Sequence, residues 1–212
     1  MTQITKDNLT IIIVTIKSQK IIDDCLESID PNIKKIVVEN SSNKEFAKYL
    51  TKKYKNTECY LTGQNLGMGS GNNYGINKSK TRYVMVLNPD TILKKDCIKK
   101  LMITARVIKN NFAIIAPTEK KLFNSKKFIE VNYVKGFAML INLSKIKKIG
   151  MFDKNYFLYL EEIDLCKRLK LASEKIYICV GANIKHIGAS SSDIGFEFEK
   201  CRNWHWMWSK VY

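Results

Sequence analysis

Between Arg82 and Thr91 the chain reads Arg-Tyr-Val-Met-Val-Leu-Asn-Pro-Asp-Thr. Residues 83–87 are apolar or aromatic and carry no charge, the pattern of a strand covered on both faces. This run constrains the fold more than any other, because a strand buried on both sides belongs inside an α/β sheet with helices above and below it. Pro89 has no amide hydrogen for a sheet ladder, so the strand stops there. Asp90 then stands just past the C-terminal end of a central strand, where open α/β sheets bind ligands. Its carboxylate is a candidate contact for a metal or a ligand. It could equally be the N-cap of a helix starting near Lys94.

The segments before this run repeat one unit. Residues 9–16 are β-branched and uncharged, a buried parallel strand. Ser18 can cap a helix from Gln19 to about Ile29 with Ile22, Cys25 and Leu26 on one face. Residues 33–38 form a second strand, and the polar run Glu39-Asn40-Ser41-Ser42-Asn43 can cap a helix over 44–55. Residues 59–61 give a short third strand. Strand-helix units this closely spaced predict a doubly wound sheet. Residues 63–75 hold five of the chain's ten glycines and read as a loop whose backbone can approach a ligand closely. It lacks the Gly-Lys-Ser/Thr of a phosphate-binding loop, and it does not follow the first strand as a dinucleotide fingerprint does.

Beyond Asp90 the pattern predicts a helix over 94–109, a strand over 112–116 closed by Pro117, and a charged loop over 119–127. An apolar stretch over 136–142, a short helix over 143–149 and two short strands over 176–180 and 183–187 follow. His186 ends the last strand, before Gly188 and Ser190–Ser192. Glu161, Glu162 and Asp164 follow the aromatic run 156–159. Three acids in four residues suit a helix N-terminus, and they also supply candidate general bases. The tail from Ile194 to Tyr212 is helical in pattern, with Cys201, Trp204, Trp208 and Val211 on one face. Such a stripe packs on the core, joins a second copy as a homodimer, or rests at a bilayer interface.

The 36 Lys and Arg against 20 Asp and Glu give a net charge of +16, yet only four of the cations are arginine. Arginine is the favoured reader of bases and phosphates. A lysine-dominated excess therefore argues against a nucleic-acid partner and fits an anionic small substrate or membrane surface better. The six cysteines form no C-x-x-C pair, which argues against zinc and for a reducing, cytoplasmic setting. Residues 1–9 lack a signal-peptide core, and no apolar run approaches the roughly 20 residues of a membrane-spanning helix.

Four motifs in order carry a resemblance: Val-Val-Glu-Asn-Ser-Ser (37–42), the 65–75 glycine segment, Leu-Asn-Pro-Asp-Thr (87–91) and Phe-Leu-Tyr-Leu-Glu-Glu-Ile-Asp-Leu (157–165). With Gly136-Phe137-Ala138 and His186-Ile187-Gly188, they make residues 9 to about 205 resemble the inverting family 2 glycosyltransferases, especially the bacterial rhamnosyltransferase-like branch. The resemblance implies a GT-A fold, a mixed, mainly parallel sheet flanked by helices. It implies one domain over 1–193 with the C-terminal helix 194–212 packed on it, on a partner or on a membrane. Thr15, Ile16, Lys17, Glu39 and Asn40 would lie against base and ribose. Asn65, Gly67, Asn73 and Asn88 would border the donor pocket. Asp90 would be the metal-binding acid and His186 a second protein ligand to manganese or magnesium. Glu162 falls where the family places a catalytic Asp, with Glu161 and Asp164 as alternatives. Glu39 and Glu162 stand where Asp is usual, and Lys17 where Asn is common.

The chemistry fits this resemblance. A departing diphosphate needs a divalent cation on oxygen ligands, and an attacking hydroxyl needs a carboxylate to take its proton. One base without a second nucleophile implies inversion. The expected donor is a deoxythymidine or uridine diphosphate sugar. The expected acceptor is a surface glycan or lipid-linked glycan, reached by a cytoplasmic protein that is peripheral on the membrane. A sugar nucleotidyltransferase is the alternative within nucleotide chemistry. A basic module binding nucleic acid or membrane is the alternative outside it.

Overall fold

The computed structural model describes residues 6–119, 126–188 and 196–212. In chain order the elements are Leu9–Thr15 (β1), Ile22–Glu27 (α1), Lys34–Glu39 (β2), Lys44–Lys53 (α2), Thr57–Leu61 (β3), Met68–Lys78 (α3), Tyr83–Leu87 (β4) and Thr91–Leu93 (β5). They continue as Cys97–Val107 (α4), Ile114–Thr118 (β6), Phe128–Glu130 (β7), Ala138–Asn142 (β8), Leu143–Ile149 (α5), Glu161–Leu171 (α6), Ile176–His186 (β9) and Phe196–Val211 (α7).

The strands form one mixed sheet in the order β3-β2-β1-β4-β8-β6-β9-β5, with β7 on β9. The half from β3 to β4 is parallel, and β8 runs antiparallel between β4 and β6. The chain winds from β1 through β2 to β3 on one side, then returns to place β4 on the other side of β1. The C-terminal ends of β1 and β4 therefore open a crevice at the point where the winding reverses. Side chains alternate across the sheet as the strand period requires. Ile11, Ile13, Met85 and Leu87 pack with Cys25, Leu50 and Leu101 of α1, α2 and α4. Ile12, Val14, Val84 and Val86 pack with Ile76, Ile146 and Leu165 of α3, α5 and α6.

The structure corrects several expectations. The glycine segment is not a loop around a ligand: from Met68 on it is helix α3. A Cβ at Gly71 would lie 2.8 Å from Val14 Cγ1, and one at Gly75 would lie 2.5 Å from Ile12 Cγ2. These glycines let the helix backbone approach the sheet. Helix α1 starts at Ile22, not Gln19, without a side-chain cap, and the Ser18 hydroxyl donates to Ile16 O instead at 3.0 Å. Helix α4 starts at Cys97 with Asp96 as its N-cap, so Asp90 caps no helix. The intervening residues 91–93 form β5, which pairs with β9. Strand β6 passes through Pro117, with a register shift against β9 between Ala116 and Thr118, the kind of irregularity a missing amide hydrogen permits. The two expected strands near the C-terminus are one, β9, which pairs with β6 and β7 first and with β5 over its last three residues. The expected cap of α2 is present, with Asn43 Oδ1 accepting from Phe46 N at 3.0 Å. Ser190–Ser192, the 193/194 boundary and most of the 119–127 run lie outside the described residues.

Candidate active site

The turn after β4 is fixed from three sides. Asn88 N donates to Phe137 O at 2.9 Å, Thr91 N donates to Asn88 O at 3.1 Å, and Ile187 N donates to Asp90 O at 3.0 Å. Asp90 is thereby held only 3% exposed at the end of a central strand. Its Oδ1 is buried and accepts no hydrogen bond. Strand pairing sets His186 opposite Thr91 and brings its Nε2 to 3.4 Å from that orphaned oxygen. On the other edge of the imidazole, Nδ1 lies 3.5 Å from Glu119 Oε1. Phe137 stacks on the ring with centroids 4.7 Å apart. The Asp90 carboxylate outweighs partial burial, and with Glu119 behind it holds the His186 pKa above the usual imidazole range.

The acids at the start of α6 separate into three environments. Leu160, in left-handed conformation at φ 66°, precedes the helix without a side-chain cap. Glu161 is 7% exposed and packs against Gly69 of α3. Burial, reinforced by the Glu162 charge, pushes its pKa up to about 8, and its Oε2 has no partner. Glu162 points the other way, against Gly136, where a Cβ would lie 3.3 Å from its Cγ. Burial raises its pKa too, opposed by backbone amides at the helix start and at Gly136. Asp164 is committed to the fold: Arg168 Nη2 and Nε reach its Oδ2 at 2.7 and 2.8 Å. The same guanidinium donates to Ile149 O, Gly150 O and Met151 O.

The segment 136–137 joins these parts. Gly136 packs on Glu162, and Phe137 beside it packs on His186, which faces Asp90. The three residues expected to meet are thus gathered around two consecutive residues at the edge of β8. A cleft of about 640 Å³ opens beside them, lined among others by Thr118, Glu119, Tyr133, Lys135 and Phe137.

On the side of β1 and β2, Thr15 is buried with an unpartnered Oγ1, Ile16 is half-buried, and Lys17 is exposed at φ 50°. Glu39 is 1% exposed, and both its oxygens are occupied, by the Ser41 hydroxyl at 2.7 Å and by Asn43 N at 3.0 Å. Asn40 ties β2 to the 62–67 turn: its Nδ2 donates to Asn65 Oδ1 and Gly67 O, and its Oδ1 accepts from Leu66 N. Gly67, at φ 81°, has no room for a Cβ against the Phe157 carbonyl, which accepts from Met68 N at 2.8 Å. Asn73 spends its amide on the Phe152 backbone, donating to O at 2.7 Å and accepting from N at 3.1 Å. Glu39, Asn40 and Asn73 therefore shape the walls of the crevice through bonds within the chain.

Helix α7 rests on the aromatic run before α6. His205 stacks on Phe157 at 4.4 Å, Ser209 donates to Leu158 O at 3.0 Å, and Asn155 Nδ2 donates to the Tyr212 hydroxyl at 2.8 Å. Trp204, Met207, Trp208 and Val211 remain exposed on the other face. Cys201, expected with them, lies outside the described side chains.

Sequence reasoning missed Glu119 and Arg168 as parts of this site, and it placed Phe137 in a supporting motif without a role. Asp164 and Arg168 had a signal in their i, i+4 spacing. Glu119 had none, since only the fold brings it to His186.

Among the described residues, no group of three acids, histidines or cysteines is gathered tightly enough to hold an ion alone. Asp90 and His186 instead bring a carboxylate oxygen and an imidazole nitrogen within 3.4 Å of each other, and that buried oxygen accepts no hydrogen bond. They fit a divalent cation that takes its remaining ligands from a bound diphosphate and water.

The mixed sheet and its flanking helices form a GT-A fold. The fold matches that of Staphylococcus aureus TarS 1–349 in complex with UDP-GlcNAc, at TM-score 0.68 and 15% identity over 91% of this chain and 64% of that one. It also matches GalNAc-T7 solved with UDP, GalNAc and Mn2+, at TM-score 0.69 and 12% identity over 84% of this chain and 43% of that one. The chain belongs to glycosyl transferase family 2, whose profile matches residues 10–174. Among curated relatives, it is 29% identical over 203 residues to the low-salt glycan biosynthesis hexosyltransferase Agl10 of Haloferax volcanii. That match covers 82% of this chain and 65% of the relative. It is 25% identical to the rhamnosyltransferase WbbL of Escherichia coli K12, over 92% of this chain and 88% of that protein. No described helix is long and apolar enough to cross a membrane.

Proposed function

We propose that the protein moves a hexose, rhamnose or a related sugar, from a deoxythymidine or uridine diphosphate donor to a hydroxyl of a surface-glycan or lipid-linked acceptor, with inversion at the anomeric carbon. The observation that carries this is the orphaned buried Asp90 oxygen facing His186, joined through Gly136-Phe137 to the carboxylate of Glu162. Asp90 and His186 would hold a divalent cation, manganese or magnesium, which supplies positive charge against the diphosphate leaving group. Glu162 takes the proton of the acceptor hydroxyl. Its raised pKa makes it a stronger base than an exposed carboxylate while leaving it ionisable. Glu161, more deeply buried, is pushed toward its protonated form by burial and the neighbouring Glu162 charge, which leaves Glu162 as the base of the pair. The acceptor enters by the cleft beside Tyr133 and Lys135, from which a hydroxyl reaches Glu162 past Gly136. Proteins of this fold have been solved with UDP and with UDP-GlcNAc, and relatives that are a hexosyltransferase and a rhamnosyltransferase support a hexosyl or rhamnosyl group. We place the protein in the cytoplasm, peripheral to the membrane that carries such an acceptor. The exposed aromatic face of α7 is the surface for that membrane or for a second copy.

Asp90→Ala and Glu162→Gln test the reading against a panel of nucleotide sugars. Asp90→Ala loses both transfer and the metal-dependent part of nucleotide binding. Glu162→Gln binds donor as the wild type does and loses transfer by about 10²-fold or more. Full turnover by either variant removes that residue from its role.

A further inference from the structure

We propose that Glu119 is the positioning residue for His186, receiving its Nδ1 hydrogen so that Nε2 presents a lone pair to the cation shared with Asp90. This deepens the reading above and rests on it. The imidazole is confined on its face by Phe137, 4.7 Å between centroids, so its two nitrogens are aimed at fixed targets. Those targets are both carboxylates: Asp90 Oδ1 at 3.4 Å from Nε2 and Glu119 Oε1 at 3.5 Å from Nδ1.

As a ligand to a cation the imidazole is neutral, so it carries one hydrogen and must choose between them. With the hydrogen on Nε2, the ring would satisfy Asp90 but turn its Nδ1 lone pair toward Glu119, a repulsive contact, and it would have nothing to offer a cation. With the hydrogen on Nδ1, Glu119 is satisfied and both Nε2 and the unpartnered Asp90 oxygen face the same point with free lone pairs. Glu119 is what makes the second tautomer favourable against the pull of Asp90. A carboxylate on the far nitrogen of a metal-binding histidine fixes its tautomer and orientation in this way, and losing one costs about 10–100-fold in metal affinity. Glu119 is itself oriented by Lys135, whose Nζ donates to the other oxygen at 3.0 Å. That lysine is 70% exposed, so the ion pair steers the carboxylate more than it stabilises the fold.

The experiment titrates manganese into the full chain with UDP or dTDP present, reading free Mn2+ by electron paramagnetic resonance, and measures metal-free nucleotide affinity and the melting temperature alongside. Glu119→Gln is expected to weaken manganese binding about tenfold or more, with metal-free nucleotide affinity and melting temperature unchanged. Glu119→Asp should recover part of the loss. Unaltered manganese affinity in Glu119→Gln overturns the proposal. So does a loss that falls equally on metal-free nucleotide binding, which would make Glu119 a support of the fold alone. If the wild type takes up no manganese with either nucleotide, the metal assignment to Asp90 and His186 fails first, and this inference with it.

Discussion

Replacing Glu161 with Gln separates the two adjacent glutamates that follow the aromatic run. Glu161 is 7% exposed, and burial with the neighbouring Glu162 charge raises its pKa from 4.5 to about 8. A group whose folded pKa is raised holds its proton more tightly when folded than when unfolded. For a carboxyl, the folded state is therefore favoured at low pH, and the advantage is lost as pH climbs from the unfolded value toward 8. The slope is about 1.4 kcal/mol per pH unit inside that window, a ceiling of roughly 5 kcal/mol across it. Water entry and small shifts of the side chain reduce this, and we expect about 2–4 kcal/mol. Glu161→Gln removes the titration but leaves an unpartnered buried amide, which costs about 1–3 kcal/mol at every pH. The variant is thus no more stable than the wild type at pH 5 and more stable, or nearly level, at pH 8.5. Urea unfolding of both proteins at half-unit steps from pH 5 to 8.5 measures the difference. Parallel stability curves would refute the argument. The same variant should keep most of its transfer activity at pH 7, where the wild-type Glu161 is already protonated; if transfer is lost, Glu161 and not Glu162 is the base.

Gly75→Ala forces a methyl group to 2.5 Å from Ile12 Cγ2 and 3.0 Å from Val38 Cγ2. The overpacking of about 1–3 kcal/mol exceeds the gain of up to about 1 kcal/mol in helix propensity, so thermal unfolding should show a net loss, and a variant as stable as the wild type contradicts the close packing of α3 on the sheet. Asp164→Asn and Arg168→Met should each destabilise by about 1–3 kcal/mol, and their double-mutant cycle should show coupling of about 0.5–3 kcal/mol; additive losses would mean the pair does not hold the 149–151 turn.

The parts of this fold that were legible in the sequence are those decided locally. The uncharged runs of β1 and β4 carry their burial on both faces in their composition, and Pro89 marks the strand end that presents Asp90. What was illegible is decided by packing partners far away in the chain. The glycines of 69–75 look like a loop because glycine is a poor helix former. Gly71 and Gly75 are glycines because Val14 and Ile12 leave no room for a side chain where the helix crosses the sheet, a fact the local sequence does not contain. The gap at 181–182 looked like a break between two strands, yet β9 passes through it because each half finds its own partner strand. In the site, the acids and His186 stood out by type and place. Glu119 and Phe137 became meaningful only when β6, β8 and β9 came together, and the internal bonds of Glu39 and Asn73 could not be told in advance from bonds to a ligand.

The proposed transfer depends on one crevice in which Asp90, His186 and Glu162 face a common ligand. A crystal structure with UDP or dTDP and manganese tests this most directly. The prediction is a diphosphate bridged by the ion to Asp90 and His186, with the Glu162 carboxylate open toward the position of the sugar. A nucleotide bound elsewhere, or an ion that leaves Asp90 Oδ1 still without a partner, would contradict it.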